Sequence, residues 1–171
     1  MKLITATPEH IARLGDHMRP EDRKELELMC PYQDYRKTLQ DQWDTSVIAE
    51  AILTDDGEVA GVWGVSLAEG LPDGCGSIWM LATPALGQVS HSFLRESQRA
   101  IGRAHFRFPA LACTPWREND LHLTWLKWCG FYVADYGHPH FLGCAHVWTP
   151  SNSHRNDGDD GSNSDRRSQP V

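Results

Sequence analysis

The stretch Ser77-Ile78-Trp79-Met80-Leu81-Ala82-Thr83 constrains the fold more than any other part of the chain. It is almost wholly apolar and lacks the alternation of a half-exposed strand, so it reads as a central strand buried on both faces. Pro84 to Ser90 connects it to a long helix over about Ser90 to His105, with Phe93, Ser97, Ala100 and Ile101 on one side. Pro109-Ala110-Leu111-Ala112-Cys113-Thr114 then reads as another strand. A strand, a helix and a strand in this order imply a parallel pair with a right-handed crossover.

The chain before this unit supplies helices and a hairpin. Lys2 to Ala6 is a short strand. Thr7-Pro8-Glu9 offers a cap, a proline at the first helical position and an acid in the first turn, so a helix follows with Ile11 and Leu14 inward. Pro20-Glu21-Asp22 opens a second helix carrying Leu26, Leu28 and Met29, and Pro31 interrupts it. A third helix is expected from Tyr32 to about Trp43, with Tyr35, Leu39 and Trp43 at spacing four. Ser46 to Leu53 and Val59 to Leu67 are strands joined by the turn Asp55-Asp56-Gly57-Glu58. Gly61 and Gly64 in the second of these mark a thin strand against which something packs closely. Phe131 to Tyr136 and about Phe141 to Trp148 are a last antiparallel pair around Gly137. The expected domain is therefore residues 1–149, a mixed α/β sheet flanked by helices, and residues 150–171 are expected to be a disordered polar tail.

The net charge of −7 and the absence of a Lys/Arg stripe argue against a nucleic-acid or anionic-membrane partner. Five cysteines, odd in number and without a CxxC pair, read as reduced thiols of a cytosolic protein. Met1-Lys2 leads into a strand and not into a signal peptide, and no apolar run approaches the ~20 residues that cross a bilayer.

Asn119 to Phe131 carries the chemistry. Asn119 or Asp120 can cap a short helix, Leu123, Trp125, Leu126 and Cys129 form its inward stripe, and Gly130 ends it. His122 stands at the edge of that stripe, where one more apolar residue would be expected. The segments Ile78-Trp79-Met80-Leu81-Ala82-Thr83-Pro84, Phe93-Leu94-Arg95-Glu96-Ser97 and Asn119-x-x-His122-x-x-Trp125-Leu126-Lys127-x-x-Gly130-Phe131 resemble a tailed-phage family of GNAT (N-acetyltransferase) type. That family includes the internal virion protein A of short-tailed coliphages. The resemblance to the GNAT fold covers residues 1–149.

What the resemblance implies is an acetyl transfer from acetyl-CoA to an amine of a host or phage protein or of a small molecule. In that fold the fourth strand splays from the fifth and the pantetheine arm lies in the gap. Met80, Leu81, Ala82 and Thr83 would meet the arm, and Gly87, Gln88, Ser90 and Ser92 would meet the pyrophosphate at the start of the next helix. Gly87, Ser90 and Ser92 fall on the basic residue and two glycines of the usual loop signature, so the loop departs from it at each defining position. Leu126 falls where many such enzymes carry a proton-donating tyrosine. His122, one turn earlier, is the candidate proton donor, with structural hydrogen bonding at the helix start as the alternative. Asn119 either contacts the pantetheine arm or caps the helix. Glu69, Asp73 and Glu118 are expected to flank the cleft and are candidates for the base that takes the amine proton, Glu118 being carried forward with His122 as catalytic.

The rival reading is a non-catalytic virion or assembly protein, or a host-takeover binding factor, that kept the fold without its chemistry. The implied location is the host cytoplasm, with packaging in the virion as the alternative. His138, His140, Cys144 and His146 share parity, but their spacing matches no standard zinc site, and no metal is expected. Cys113 reads as an inert buried thiol.

Overall fold

A computed structural model describes residues 1–67 and 70–149. Glu69 and the expected tail, Pro150 to Val171, lie outside the described residues. The elements run β1 (Lys2–Thr5), α1 (Pro8–His17), α2 (Pro20–Met29), α3 (Tyr35–Asp44), β2 (Ser46–Leu53), β3 (Val59–Ser66), β4 (Cys75–Ala82), a 3-10 turn (Pro84–Val89), α4 (Ser90–Ala104), β5 (Ala110–Cys113), α5 (Asp120–Trp128), β6 (Tyr132–Ala134) and β7 (Gly143–Val147). Seven strands form one sheet in the order β1-β2-β3-β4-β5-β7-β6. All neighbours are antiparallel except β4 and β5.

The sheet is covered on both faces. Ile11, Leu14, Leu26 and Leu39 from α1 to α3 pack with Ala51, Val62, Trp79 and Leu81. On the other face Phe93, Ile101, Trp125 and Leu126 from α4 and α5 pack with Trp63, Ile78, Met80 and Leu111. β3 and the second half of β4 are buried throughout, as continuous apolar runs require. Gly64 is where the thin strand matters, since a Cβ there would lie 2.8 Å from the Trp79 ring and 2.7 Å from the Ile48 carbonyl oxygen.

Three of the differences from the sequence expectation have a local cause. α3 begins at Tyr35, because the Asp34 side chain accepts from the Arg36 amide at 2.9 Å and caps the helix there, leaving Tyr32 fully exposed. The connection after β4 is an ordered 3-10 turn, with the Thr83 hydroxyl accepting from Ala85 N. The last strand begins at Gly143, because the amide of Leu142 bonds Pro115 O and Phe141 makes only an isolated bridge with Trp116. It lies between β5 and β6.

The feature that positions the site is a splay. β4 pairs with β5 only at Cys75, Gly76 and Ser77, opposite Ala110, Leu111 and Ala112. From Ile78 onward β4 has no β5 partner, and the two strands part toward the C-terminal end of β4.

Candidate active site

Antiparallel ladders bond alternate residues to a given neighbour. Thr83 N donates to Ala60 O at 2.9 Å, so the amides of Leu81 and Thr83 face β3, and those of Met80 and Ala82 face the gap. At Ala82 the gap-facing groups are already bonded. Its N–H donates to Asp22 Oδ2 at 2.8 Å, and its carbonyl accepts from Arg19 N at 2.9 Å. The start of α2 thus closes the last rung of β4, and the gap-facing backbone remaining open is centred on Met80.

A cavity of about 320 Å³ opens at the splayed end. Met80 of β4, Thr83 just after it, Pro84, Leu86 and Gly87 of the 3-10 turn, Ser90, Phe93 and Leu94 of α4 and Leu121, His122 and Trp125 of α5 line it, with Arg19 and Asp22 at one side. Most of these side chains are apolar, as in a pocket that holds the body of a ligand and orients it with few polar groups. A shallower groove of about 450 Å³ adjoins it, sharing Arg19, Pro84 and Leu121 and adding Pro20, Glu21, Glu118, Asn119 and Asp120.

Between the two lies a buried polar cluster. Arg19 grips Asp22 with two bonds, Nε to Oδ2 at 3.1 Å and a terminal nitrogen to Oδ1 at 2.7 Å. Asn119, 1% exposed, caps α5 by accepting from His122 N at 3.3 Å and donates its amide to Asp22 Oδ1 at 3.2 Å and Glu25 Oε2 at 3.4 Å. Glu25 Oε2 also accepts from Trp116 N at 3.1 Å and faces His122 Nδ1 at 3.4 Å. The far nitrogen of His122, Nε2, makes no hydrogen bond to the described residues, and the ring lines the cavity. Burial opposes the charged imidazole, but the hydrogen bond to Glu25 and the charges of Glu25 and Asp22 outweigh burial and Arg19, so the His122 pKa lies above the ordinary histidine value. The Trp125 indole N–H has no acceptor among the described residues.

The residues read from the sequence are distributed as follows. Met80, Thr83, Gly87, Ser90 and His122 line the cavity. Leu81 and Ala82 belong to the adjacent strand but are not cavity walls, and the Ala82 amide is taken by Asp22. Gln88 is exposed on the 3-10 turn, and Ser92 is half-buried in the first turn of α4. Gly87 has open space around it and an ordinary negative φ, so its backbone does not require a glycine. Asn119 caps α5 and anchors the polar cluster. Glu118 is exposed in the adjoining groove. Asp73 does not flank the cleft: it precedes Cys75, at the opposite end of β4 from Ala82, about 25 Å away at the rise of a strand.

Sequence reasoning missed Asp22 and Glu25. Their signal was present. Asp22, Glu25, Leu26 and Met29 share one helical face, so two acids stand where apolar residues belong. Both are buried, at 2% and 6% exposure.

The other histidines and thiols go elsewhere. His146 is buried against His105, Nδ1 to Nε2 at 2.7 Å, while His105 Nδ1 bonds Phe108 O at 2.8 Å. His138 Nδ1 accepts from the amides of His140 and Phe141 and holds their turn. Cys113 and Cys144 face each other across β5 and β7. The facing sulfur and burial hold the Cys113 thiol well above the ordinary value. Among the described residues no group of three or more His, Cys, Asp or Glu side chains is placed to hold a metal ion, and no helix is long and apolar enough to cross a membrane.

No family model matches the sequence, and no curated protein does. Solved structures match the fold. The GNAT domain of S. lividans PAT superposes with a TM-score of 0.63 at 13% identity, over 85% of this chain and 89% of that one. Aminoglycoside acetyltransferase AAC(6')-Ib in complex with coenzyme A gives 0.61 at 16% identity, over 92% and 99%. Spermidine N-acetyltransferase from Vibrio cholerae, in complex with CoA and spermine, gives 0.60 at 10% identity, over 85% and 94%. The chain has the GNAT acetyltransferase fold, with the parallel β4–β5 pair at its centre.

Proposed function

We propose that the chain transfers an acetyl group from acetyl-CoA to an amine of a protein or small molecule. The observation that carries this reading is the cavity at the splayed end of β4 and β5, walled by the turn into α4 and by a histidine whose Nε2 is unbonded among the described residues. Acetyl-CoA lies with its pantetheine arm in this cavity along Met80 and its pyrophosphate outside, against Gly87, Gln88, Ser90 and Ser92. The acceptor approaches through the groove of Glu21, Glu118 and Asp120. Its nitrogen attacks the thioester carbonyl, the C–N bond forms, and the C–S bond breaks. The leaving thiolate takes a proton from His122 Nε2, and the amine proton passes through water to Glu118. The resemblance to the phage family suggests a host or phage acceptor and a place in the infected host cytoplasm or the virion.

A thiol-release assay over a panel of small amines and basic peptides tests the reading. His122→Ala is expected to lower turnover by about a hundredfold while leaving acetyl-CoA affinity within about twofold. Equal turnover in the mutant would remove His122 from the chemistry.

A second reading is favoured by one contact. Asp22 already holds the gap-facing amide of Ala82, which the resemblance assigns to the cosubstrate. If that contact persists in every state, the chain is a non-catalytic GNAT-fold protein, and acetyl-CoA will not bind at millimolar concentration.

A further inference from the structure

We infer that Glu25 is the positioning residue for proton transfer by His122, fixing the ring with Nδ1 toward the protein and Nε2 toward the cavity. This rests on the proposed acetyl transfer. Glu25 belongs to α2, far in sequence from α5, and reaches the site only because α2 closes the splayed end of β4.

Every bond that Glu25 Oε2 makes serves the same orientation. Trp116 N, at 3.1 Å, holds the carboxylate from the segment entering α5. Asn119 Nδ2, at 3.4 Å, ties it to the cap whose oxygen accepts from the His122 amide. The third neighbour is His122 Nδ1, at 3.4 Å. A carboxylate is an acceptor only, so this approach favours the proton on Nδ1. That leaves Nε2 as the ring atom that exchanges protons: charged, it donates to a departing thiolate, and neutral, it accepts. The Trp125 ring, 5.7 Å away and tilted, restrains the imidazole plane. The charged and titratable groups around the ring are Glu25 and Asp22 of α2, Arg19 just before it and Cys144 of β7. The two carboxylates support the imidazolium and Arg19 opposes it. A plain hydrogen-bonding role at the helix start would not need a buried carboxylate, because Asn119 already caps α5.

The test is an NMR titration of the histidine ring nitrogens together with pH–rate profiles of the wild type, Glu25→Gln, Glu25→Asp and His122→Gln. In the wild type, neutral His122 is expected as the Nδ1–H tautomer; the Nε2–H tautomer would overturn the assignment without any mutant. In Glu25→Gln the His122 titration is expected to move down by about 1 pH unit or more. The limb of kcat that reports the proton donor should move with it, with KM for acetyl-CoA within about twofold and kcat at neutral pH down by about tenfold. Glu25→Asp should restore part of the shift. In a His122→Gln background Glu25→Gln should cost no further turnover, since the two act as a unit; an additive loss would mean a merely structural carboxylate. Absence of turnover in the wild type would overturn the function and this role with it. Turnover with an unmoved Glu25→Gln profile would overturn this role alone.

Discussion

The two ends of the β4–β5 pair each bury a histidine of the α4–α5 side, and they treat it in opposite ways. At the paired end, where Gly76 meets Leu111 and Leu111 meets His146, the His105–His146 couple is closed. The Phe108 carbonyl accepts from His105 Nδ1–H, so neutral His105 offers Nε2 as an acceptor to His146 Nδ1–H. Burial holds both rings below the ordinary pKa, and the neighbouring ring charge adds to this for His146. At the splayed end His122 meets carboxylates instead, its pKa is raised against the pull of burial, and its ring lines a cavity with Nε2 unbonded among the described residues. A buried histidine satisfied by its own kind is structure. One held by an acid beside an open cavity is the one that the proposed transfer uses to move a proton.

The strongest way to break this contrast is to remove Asp22. Asp22→Ala leaves the mostly buried Arg19 guanidinium and the Ala82 amide without their partner, and chemical denaturation should show a loss of about 3 kcal/mol. A loss below about 1 kcal/mol would mean that the cluster is not a coupled unit.

Glycine substitution contrasts the packing of the two ends. A Cβ at Gly76 would lie 2.5 Å from Val65 Cγ1 and 2.9 Å from the Phe108 ring, whereas Gly87 has nothing within 4 Å. Gly76→Ala should cost about 1–3 kcal/mol of strain, and Gly87→Ala less than about 0.5 kcal/mol. Equal costs in urea unfolding would contradict a tight paired end and an open splayed end.

The smallest effect is the pH dependence, and its sign differs between the two sites. His105 and His146 have lowered folded pKa values, so their contribution is present above the unfolded value of about 6.5 and is lost as pH falls through the folded pKa. His122 has a raised pKa, so its contribution is full below about 6.5 and is lost as pH rises through the folded pKa. The double variant His105→Leu/His146→Leu should therefore flatten the acid side of the stability profile, and His122→Gln the side above it. Both variants flattening the same side would overturn the contrast.

Most of the fold was legible because it is written in local patterns. The apolar run of β4, the turn around Gly57 and the Asn119-to-Gly130 helix each carry their own period and stops. Asn119 and His122 could be picked out because a polar residue at the edge of an apolar helical stripe is visible within one turn. Glu25 and Asp22 left the same local sign on the apolar face of α2, but their partners Asn119 and Ala82 stand far along the chain, so that sign did not say what they meet. The place of Asp73 was misjudged for a related reason: loop residues can be ordered along the sequence, but which end of the sheet they occupy depends on the direction of β4. The order β5-β7-β6 likewise depends on where the last hairpin inserts, which strand lengths alone do not give.

The most direct test of the central claim is a calorimetric titration of the protein with acetyl-CoA. The account predicts one saturable site whose occupation at a hundred times its dissociation constant stabilises the fold by about 2.7 kcal/mol, with His122 Nε2 perturbed in the complex and His105 and His146 unmoved. No heat and no stabilisation at millimolar acetyl-CoA would contradict it, and would leave Asp22 on the Ala82 amide as the permanent occupant of the gap.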